Sequence, residues 1–246
     1  MMVKQLPLAA AVLALVVAGT ACARRSALAA GPTPTALGAA IIEASGGKQI
    51  GAAGAALPQP LVVQVNDERG NAMAGAEVAF SGPRGVRFDP PSGLTDSSGQ
   101  LSTSVTLGGM AGRYQLVART ISKAHTKVDL KVEETALDYQ RRWGQLLDDQ
   151  YCSRCHNPES TPERVSNYDN LEVKPHAFTE GETLNKMSDA DLLAIISHGG
   201  PALNKSPLMP PYGYTLSKTE MQALMAYIRM ISDPPYQAPG MVYAQK

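Results

Sequence analysis

The chain has 246 residues, enough to bury a core in one large domain or in two small ones. It carries 22 basic and 22 acidic residues, so its net charge gives no general attraction to nucleic acid or to anionic lipid. The two halves differ, however: before Glu134 there are 12 basic and 8 acidic residues (+4), and from Glu134 onward 10 and 14 (−4). A change of sign between halves favours two domains.

The N-terminus has the layout of a secretory signal. Lys4 precedes an apolar run over residues 6–18, which is short for a membrane span, and small residues follow. We therefore expect residues 1–23 to direct export to the bacterial periplasm. A retained membrane anchor is the alternative.

Cys22 follows this run and has no obvious partner, because the other two cysteines form a local pair. The sequence AGTAC resembles a bacterial lipoprotein signal, in which the cysteine becomes the lipidated first residue. Gly19 departs from that pattern, since such signals usually have Leu, Val or Ile there. Two interpretations stay open: a lipid tether to the membrane on Cys22, or cleavage after Ala23 or Ala29, which removes Cys22.

Residues 24–59 are mostly Ala, Gly, Pro and Thr, a composition that predicts a low-complexity linker. A first edge strand is the alternative, because the segment contains Ile41, Ile42 and Ile50.

Residues 60–134 alternate apolar and polar positions between turns rich in Gly, Pro and Asp. Val78 and Phe80 share one face of a strand, for example, and Leu116 and Ala118 share another. This period of two predicts an antiparallel β-sandwich. The order of strands and turns resembles the bacterial Ig-like repeats of the invasin and intimin type, which implies an all-β Ig-like domain and says little about function.

The apolar period becomes helical after Glu134. Four apolar residues fall on one face of a first helix: Tyr139, Trp143, Leu146 and Leu147. Ser188 and Ser217 have the spacing of N-caps for two later helices, the second ending before Pro234. We therefore expect an all-α domain over residues 135–233 and an unstructured tail over 234–246.

Cys152, Cys155 and His156 form the sequence C-x-x-C-H, which is the attachment sequence of c-type haem. Two cysteines in one helical turn can each bond a vinyl group of the same porphyrin, and the adjacent histidine can bind its iron. The motif thus predicts one covalently attached haem c, with His156 as the proximal ligand.

Three other uses of a local cysteine pair fit the sequence less well. A thioredoxin-like pair belongs near a βαβ pattern, whereas this pair ends a helix. A structural zinc site needs further Cys or His ligands at suitable spacing, and none follows. A disulfide between residues this close would close too small a loop to stabilise the fold much.

Met209 is the predicted distal ligand. It lies in a loop beside Pro210 and Pro211, which hold the backbone extended, directly before an amphipathic helix. The remaining candidates have simpler roles in the core, at helix ends or in solvent: Met187, Met221, Met225, His176 and His198. Bis-histidine ligation by His176 or His198 stays an alternative.

C-x-x-C-H followed about fifty residues later by MPPYGYTLSKTEMQALMAYIR resembles small class I monohaem cytochromes c, from Leu137 to Asp233. The resemblance implies that the first and last helices cross beside the haem, with Gly144 and Tyr227 at the crossing. Asp148 departs from the family, which commonly has an apolar or aromatic residue there. The proline whose carbonyl orients the proximal imidazole is not marked by spacing, and three candidates are open: Pro158, Pro162 and Pro175.

A haem iron held by His156 and Met209 has no open position for a substrate. We therefore expect an electron-transfer protein and not an enzyme. We expect an exported carrier of single electrons that meets redox partner proteins, with the Ig-like domain as spacer or docking module. Two alternatives remain: a binding or adhesion protein with an accessory haem domain, and an electron-transfer subunit of a larger oxidoreductase.

Overall fold

A computed structural model describes residues 36–161 and 164–239. The predicted signal at residues 1–23, Cys22 and Pro162 lie outside these residues. The described residues belong to one compact unit, with a sheet-rich N-terminal region and a helical C-terminal region. Within the described residues, no helix has the length and apolarity needed to cross a membrane.

The N-terminal region is built from two sheets. The first has the strand order β1-β3-β7-β5 and the second β2-β9-β8-β4-β6; β2 and β9 are parallel, and the other pairs are antiparallel. The strands are β1 (Ala40–Ser45), β2 (Ile50–Ala52), β3 (Leu61–Asn66), β4 (Glu77–Ser81), β5 (Arg87–Asp89), β6 (Ser92–Leu94), β7 (Gln100–Thr106), β8 (Gly112–Ile121) and β9 (Lys127–Leu137).

The two sheets enclose one apolar core, as the predicted sandwich requires. Val63 of β3 and Val78 of β4 are completely buried, and Leu116 of β8 is 1% exposed. Along β8 the buried residues alternate with more exposed ones, which confirms the period of two. Each fully buried side chain of this kind stabilises the fold by about 1.5–3 kcal/mol.

The interpretation of residues 24–59 as a linker is wrong from Ala40 onward. β1 pairs with β3 and β2 pairs with β9, so this segment supplies an edge strand to each sheet, which was the alternative. The prediction from composition was wrong because an edge strand that pairs with an existing sheet needs few large side chains of its own. Ile41 and Leu57, at 7% and 8% exposure, join the core formed by the other strands.

The C-terminal region contains five α-helices within the described residues: α1 (Tyr139–Leu147), α2 (Ser153–His156), α3 (Gly181–Leu184), α4 (Asp189–His198) and α5 (Lys218–Ile231). The predicted N-caps are confirmed. The Ser188 hydroxyl accepts from the Asp191 N–H at 3.1 Å, and Ser217 and Glu220 form a reciprocal capping box at the start of α5.

The predicted buried face of α1 is wrong in part. Tyr139 is 87% exposed and Leu146 is 52% exposed, whereas Gly144 and Leu147 are buried and Trp143 is half-buried. The apolar period located the helix but assigned too many residues to its buried face. The reason is that α5 approaches α1 at Gly144, which has no side chain and so does not contribute to an apolar pattern.

The helical region is attached to the sandwich at the start of α1 and just after α5. Asp138 alone separates β9 from α1, and its carboxylate caps α1 by accepting from the Arg141 N–H at 2.9 Å. Arg113 of β8 donates to the carbonyl oxygen of Ser232, just after α5, and to the Glu133 carboxylate. A cation at a helix C-terminus also interacts favourably with the helix dipole.

The predicted tail, residues 234–246, is described as far as residue 239 and belongs to no helix or strand there. Tyr236 nevertheless has a defined contact, because its ring centroid lies 3.9 Å from the guanidinium carbon of Arg229.

We expect Arg113→Ala to lower the free energy of unfolding by about 1.5–3 kcal/mol, because a charged donor to buried carbonyl groups is lost. Arg119→Ala is the control: it removes a half-exposed pair with Asp129 and should lower the free energy of unfolding much less than Arg113→Ala does. Urea unfolding followed by circular dichroism measures both. Equal losses would show that Arg113 does not join the two regions.

Candidate functional site

The C-x-x-C-H segment is formed where α1 changes its winding. Residues Asp148–Cys152 make a π-helical turn, after which α2 carries Cys155 and His156. Cys152 is buried at 8% exposure, and Cys155 and His156 are half-buried. The three predicted proximal residues are therefore brought together in one short helical segment beside the apolar interior.

The ring of His156 is held in one orientation. Its Nδ1 lies 2.8 Å from the carbonyl oxygen of His176, which can only accept, so Nδ1 is the donor and Nε2 is left with a free lone pair. Phe178 stacks on the same ring at 4.5 Å between centroids. Burial also lowers the pKa of His156, which favours the neutral form that binds a metal.

The carbonyl that orients His156 belongs to none of the prolines considered from the sequence. It belongs to His176, the residue after Pro175. Sequence reasoning missed both this acceptor and the stacking ring of Phe178, because backbone oxygens leave no trace in residue spacing.

Both described cysteines are free thiols. Burial raises the pKa of Cys152, so this thiol stays protonated, unlike the activated cysteine of a redox pair. Within residues 36–161 and 164–239, no group of three or more His, Cys, Asp or Glu side chains is placed to hold a metal ion by itself.

Met209 is half-buried in the loop between α4 and α5. Its carbonyl oxygen accepts from the Gly200 N–H at 3.0 Å, and the nearby Tyr212 N–H donates to the Ile196 carbonyl at 2.9 Å. Gly199 has φ +81, and a Cβ there would lie 2.7 Å from the Met209 carbonyl oxygen. The loop therefore packs its backbone directly on the end of α4.

The helices surround one apolar cluster that includes Cys152. Its buried members are Leu147, Leu184, Leu192, Ile196, Leu216, Leu224 and Ile228. Eight further apolar side chains pack on the cluster while only partly covered: Trp143, Tyr151, Phe178, Met187, Ile195, Tyr212, Met221 and Met225. A cluster with this many partly covered large side chains fits a large planar apolar group bound through Cys152, Cys155 and His156.

The alternative distal ligands considered from the sequence are His176 and His198. His198 is exposed at the end of α4. His176 is also exposed, lies on the Nδ1 side of His156 and bonds Glu180 through its ring at 3.0 Å. Met221 and Met225 belong to the apolar cluster, as predicted.

Gly144 lies where α1 crosses α5, as the resemblance implied. A Cβ on Gly144 would be 2.1 Å from the Ala223 carbonyl oxygen and 2.8 Å from the Cβ of Tyr227. Because no side chain fits in that space, only glycine allows the two helices this approach.

Asp148 is the departure from the family pattern, and it is buried at 7% exposure. Its Oδ1 has no hydrogen-bond partner in the part of the chain that the structure describes. Burial, reinforced by the nearby charge of Asp149, raises the pKa of Asp148 to about 7. The crossing therefore contains a carboxyl group that titrates near neutral pH.

Residues 140–228 match the family model described as cytochrome c oxidase, cbb3-type, subunit III, over just over a third of the chain. The resemblance of this region to cytochromes c is confirmed, and the family implies that it binds haem. A search of curated proteins found no match.

Several solved structures are similar to the N-terminal part. The D00-D0 domain of intimin is 17% identical over 41% of this chain and 46% of that chain, with a TM-score of 0.32. Invasin, described as a bacterial integrin-binding protein, is 20% identical over 39% of this chain and 19% of its own, with a TM-score of 0.30. A glycosyl hydrolase family 2 member from Bacteroides cellulosilyticus is 20% identical over 39% and 14%, with a TM-score of 0.31. The chain spans less than half the length of each, and similarity of this extent supports no inference about function.

We expect Gly144→Ala to destabilise the helical region by about 3 kcal/mol, because the new methyl group overlaps the backbone of α5. Gly109→Ala is the matched control, since a Cβ at Gly109 meets nothing within 4 Å. Urea unfolding followed by circular dichroism compares the two. Similar midpoints for both variants would contradict the close crossing.

Asp148→Asn tests the buried carboxyl group. Its folded-state pKa of about 7 lies above its ordinary value of 3.8, so its protonated form favours the folded state, and its contribution to stability falls as pH rises between these values. The quantity to compare is the free energy of unfolding of Asp148→Asn minus that of the unaltered protein. This difference should be larger above pH 7 than at pH 4 by on the order of 2–4 kcal/mol, in favour of the variant.

Urea unfolding from pH 4 to pH 8 measures this difference. Glu134, whose pKa burial also raises to about 7, is present in both proteins and cancels in the comparison. Asp169→Asn, which removes an exposed carboxylate, is the control variant and is unfolded under the same conditions. If Asp148→Asn keeps the pH dependence of the unaltered protein, Asp148 does not titrate in this range.

Proposed function

We propose that the helical region binds one haem c covalently through Cys152 and Cys155, that His156 and Met209 would hold its iron, and that the protein carries single electrons. The observation that carries this proposal is the hydrogen bond from His156 Nδ1 to the His176 carbonyl, two residues from Phe178 and beside two free thiols. It leaves Nε2 of a neutral imidazole as the only ring atom able to bind iron.

When bound, such a haem would supply one-electron exchange between ferrous and ferric iron. The chain's own residues set the conditions for that exchange. The Met209 thioether is a soft donor that favours the ferrous form, and the apolar cluster lowers the local dielectric, which disfavours the extra charge of the ferric form. Both effects raise the reduction potential.

Electron transfer without catalysis follows from the ligands. Two protein ligands leave no position at which oxygen, peroxide or another substrate could bind. We therefore propose a carrier that docks with redox partner proteins, and not an enzyme in itself.

We further propose that the protein is exported to the periplasm and is held at a membrane if Cys22 is lipidated. The support is the N-terminal sequence pattern. In this proposal the Ig-like sandwich serves as a spacer or docking module that carries the haem region away from the tether. The sandwich is attached to the helical region through Asp138 and Arg113, which supports a fixed spacing between these two regions.

A second candidate function is that of an electron-transfer subunit in a larger oxidoreductase. The description of the matched family, a subunit of a cbb3-type cytochrome c oxidase, favours it. Native gel electrophoresis of detergent extracts, stained for covalent haem, separates the two: a carrier runs at the size of the single chain, and a subunit runs in a larger complex.

The absorption spectrum tests the ligand set. In a host competent for cytochrome maturation, the purified protein should be coloured, retain its haem after denaturation, and show the weak far-red band that ferric methionine ligation gives in class I cytochromes c. Met209→Leu should abolish this band while covalent haem remains. Met187→Leu, at a partly buried methionine of the same region, should keep it.

Each outcome bears on a different part of the proposal. Colourless protein would contradict haem binding altogether. A far-red band that survives in Met209→Leu would retain haem c but remove Met209 as its ligand.

A further inference from the structure

The Met209 loop, defined here as residues 206–213, is joined to α4 and the residues just after it by backbone hydrogen bonds. Pro210 and Pro211 have no N–H groups, so Tyr212 carries the first backbone donor after Met209. That N–H donates to the Ile196 carbonyl at 2.9 Å, and the Gly213 N–H donates to the Ser197 carbonyl at 2.9 Å. Together with the bond from the Gly200 N–H to the Met209 carbonyl oxygen, these bonds attach the loop to α4 and its C-terminal end.

The side chain of Tyr212 makes a second connection, to a different element. Its hydroxyl donates to the Tyr151 carbonyl oxygen at 2.9 Å, and the two rings meet edge to face at 6.0 Å between centroids. Tyr151 directly precedes Cys152 and lies in the π-helical turn that leads to the haem-attachment segment. Burial raises the pKa of Tyr212, so its hydroxyl stays protonated and can donate.

We propose that Tyr212 is a positioning residue that holds the Met209 loop against the haem-attachment segment and thereby keeps Met209 on the iron. This inference rests on the proposed function. A thioether is a weak ligand, so the fraction of molecules with Met209 bound depends on how firmly the loop is held. The Tyr212 hydroxyl links the element that carries the distal ligand to the element that carries the cysteines and His156.

Tyr212→Phe removes only the hydroxyl and keeps the ring that packs on the apolar cluster. Tyr214→Phe is the matched control, two residues away in the same loop region, because Tyr214 is 100% exposed. Both variants are prepared as the full chain with haem attached. Imidazole is then titrated into the ferric protein at fixed pH, and loss of the far-red band reports displacement of Met209.

Loss of one hydrogen bond should shift the equilibrium between bound and released Met209 by about fivefold. We therefore expect half-loss of the band at about one fifth of the imidazole concentration in Tyr212→Phe, and no shift in Tyr214→Phe. Urea unfolding of each variant, followed by circular dichroism, provides the second readout. A residue that only stabilised the fold would lower the urea midpoint and leave the imidazole titration unchanged, and that result would overturn the proposal.

Equal imidazole titrations for Tyr212→Phe and Tyr214→Phe would also overturn it, while the proposed function would stand. A far-red band absent from the unaltered protein is a different result, because it removes Met209 as a ligand and overturns both proposals together.

Discussion

The close approach of α1 and α5 at Gly144 is the constraint on which the helical region depends. The Ala223 carbonyl occupies the space that any larger residue at Gly144 would fill, so the two helices pack backbone against backbone. α1 leads directly into the cysteine pair, and α5 supplies Leu224 and Ile228 to the apolar cluster. The crossing thus sets the distance between the attachment segment and the wall of the site opposite it. A wider crossing would open the cluster to water on the side that includes Cys152.

The sandwich reinforces this crossing from outside. α1 begins one residue after β9 ends, and the chain beyond α5 is bound by Arg113 of β8, which pairs with Thr135 of β9. The start of α1 and the end of α5 are therefore attached to neighbouring strands of one sheet. This arrangement explains why the strands and helices form one compact unit although the sequence divides them into regions of opposite charge.

Sequence patterns located most of the regular structure and the proximal half of the site. Alternation identified the long strands because their inner faces are buried in one core, and Ser188 and Ser217 marked helix starts because a cap is a local interaction. The sequence patterns did not identify β1 and β2, because the stability of these strands comes from the sheets that they join. The short strands β5 and β6 were not identified either, because three residues are too few to show a period of two. The His176 carbonyl and the Tyr212 hydroxyl bond depend on long-range folding, and no local pattern encodes them.

The two proposed axial ligands are held by different means, and this difference has a chemical consequence. His156 is the last residue of α2, directly after Cys155, with its ring fixed by a carbonyl and covered by Phe178. Met209 lies in a loop whose contacts to the site pass through Tyr212 and the end of α4. The position of His156 is thus fixed by several contacts, whereas the position of Met209 can be changed by small changes in loop packing. Under the proposed function, the Met209 thioether would raise the reduction potential relative to a second nitrogen ligand. The loop would then be the part of the chain through which sequence variation adjusts that potential without disturbing the attachment segment.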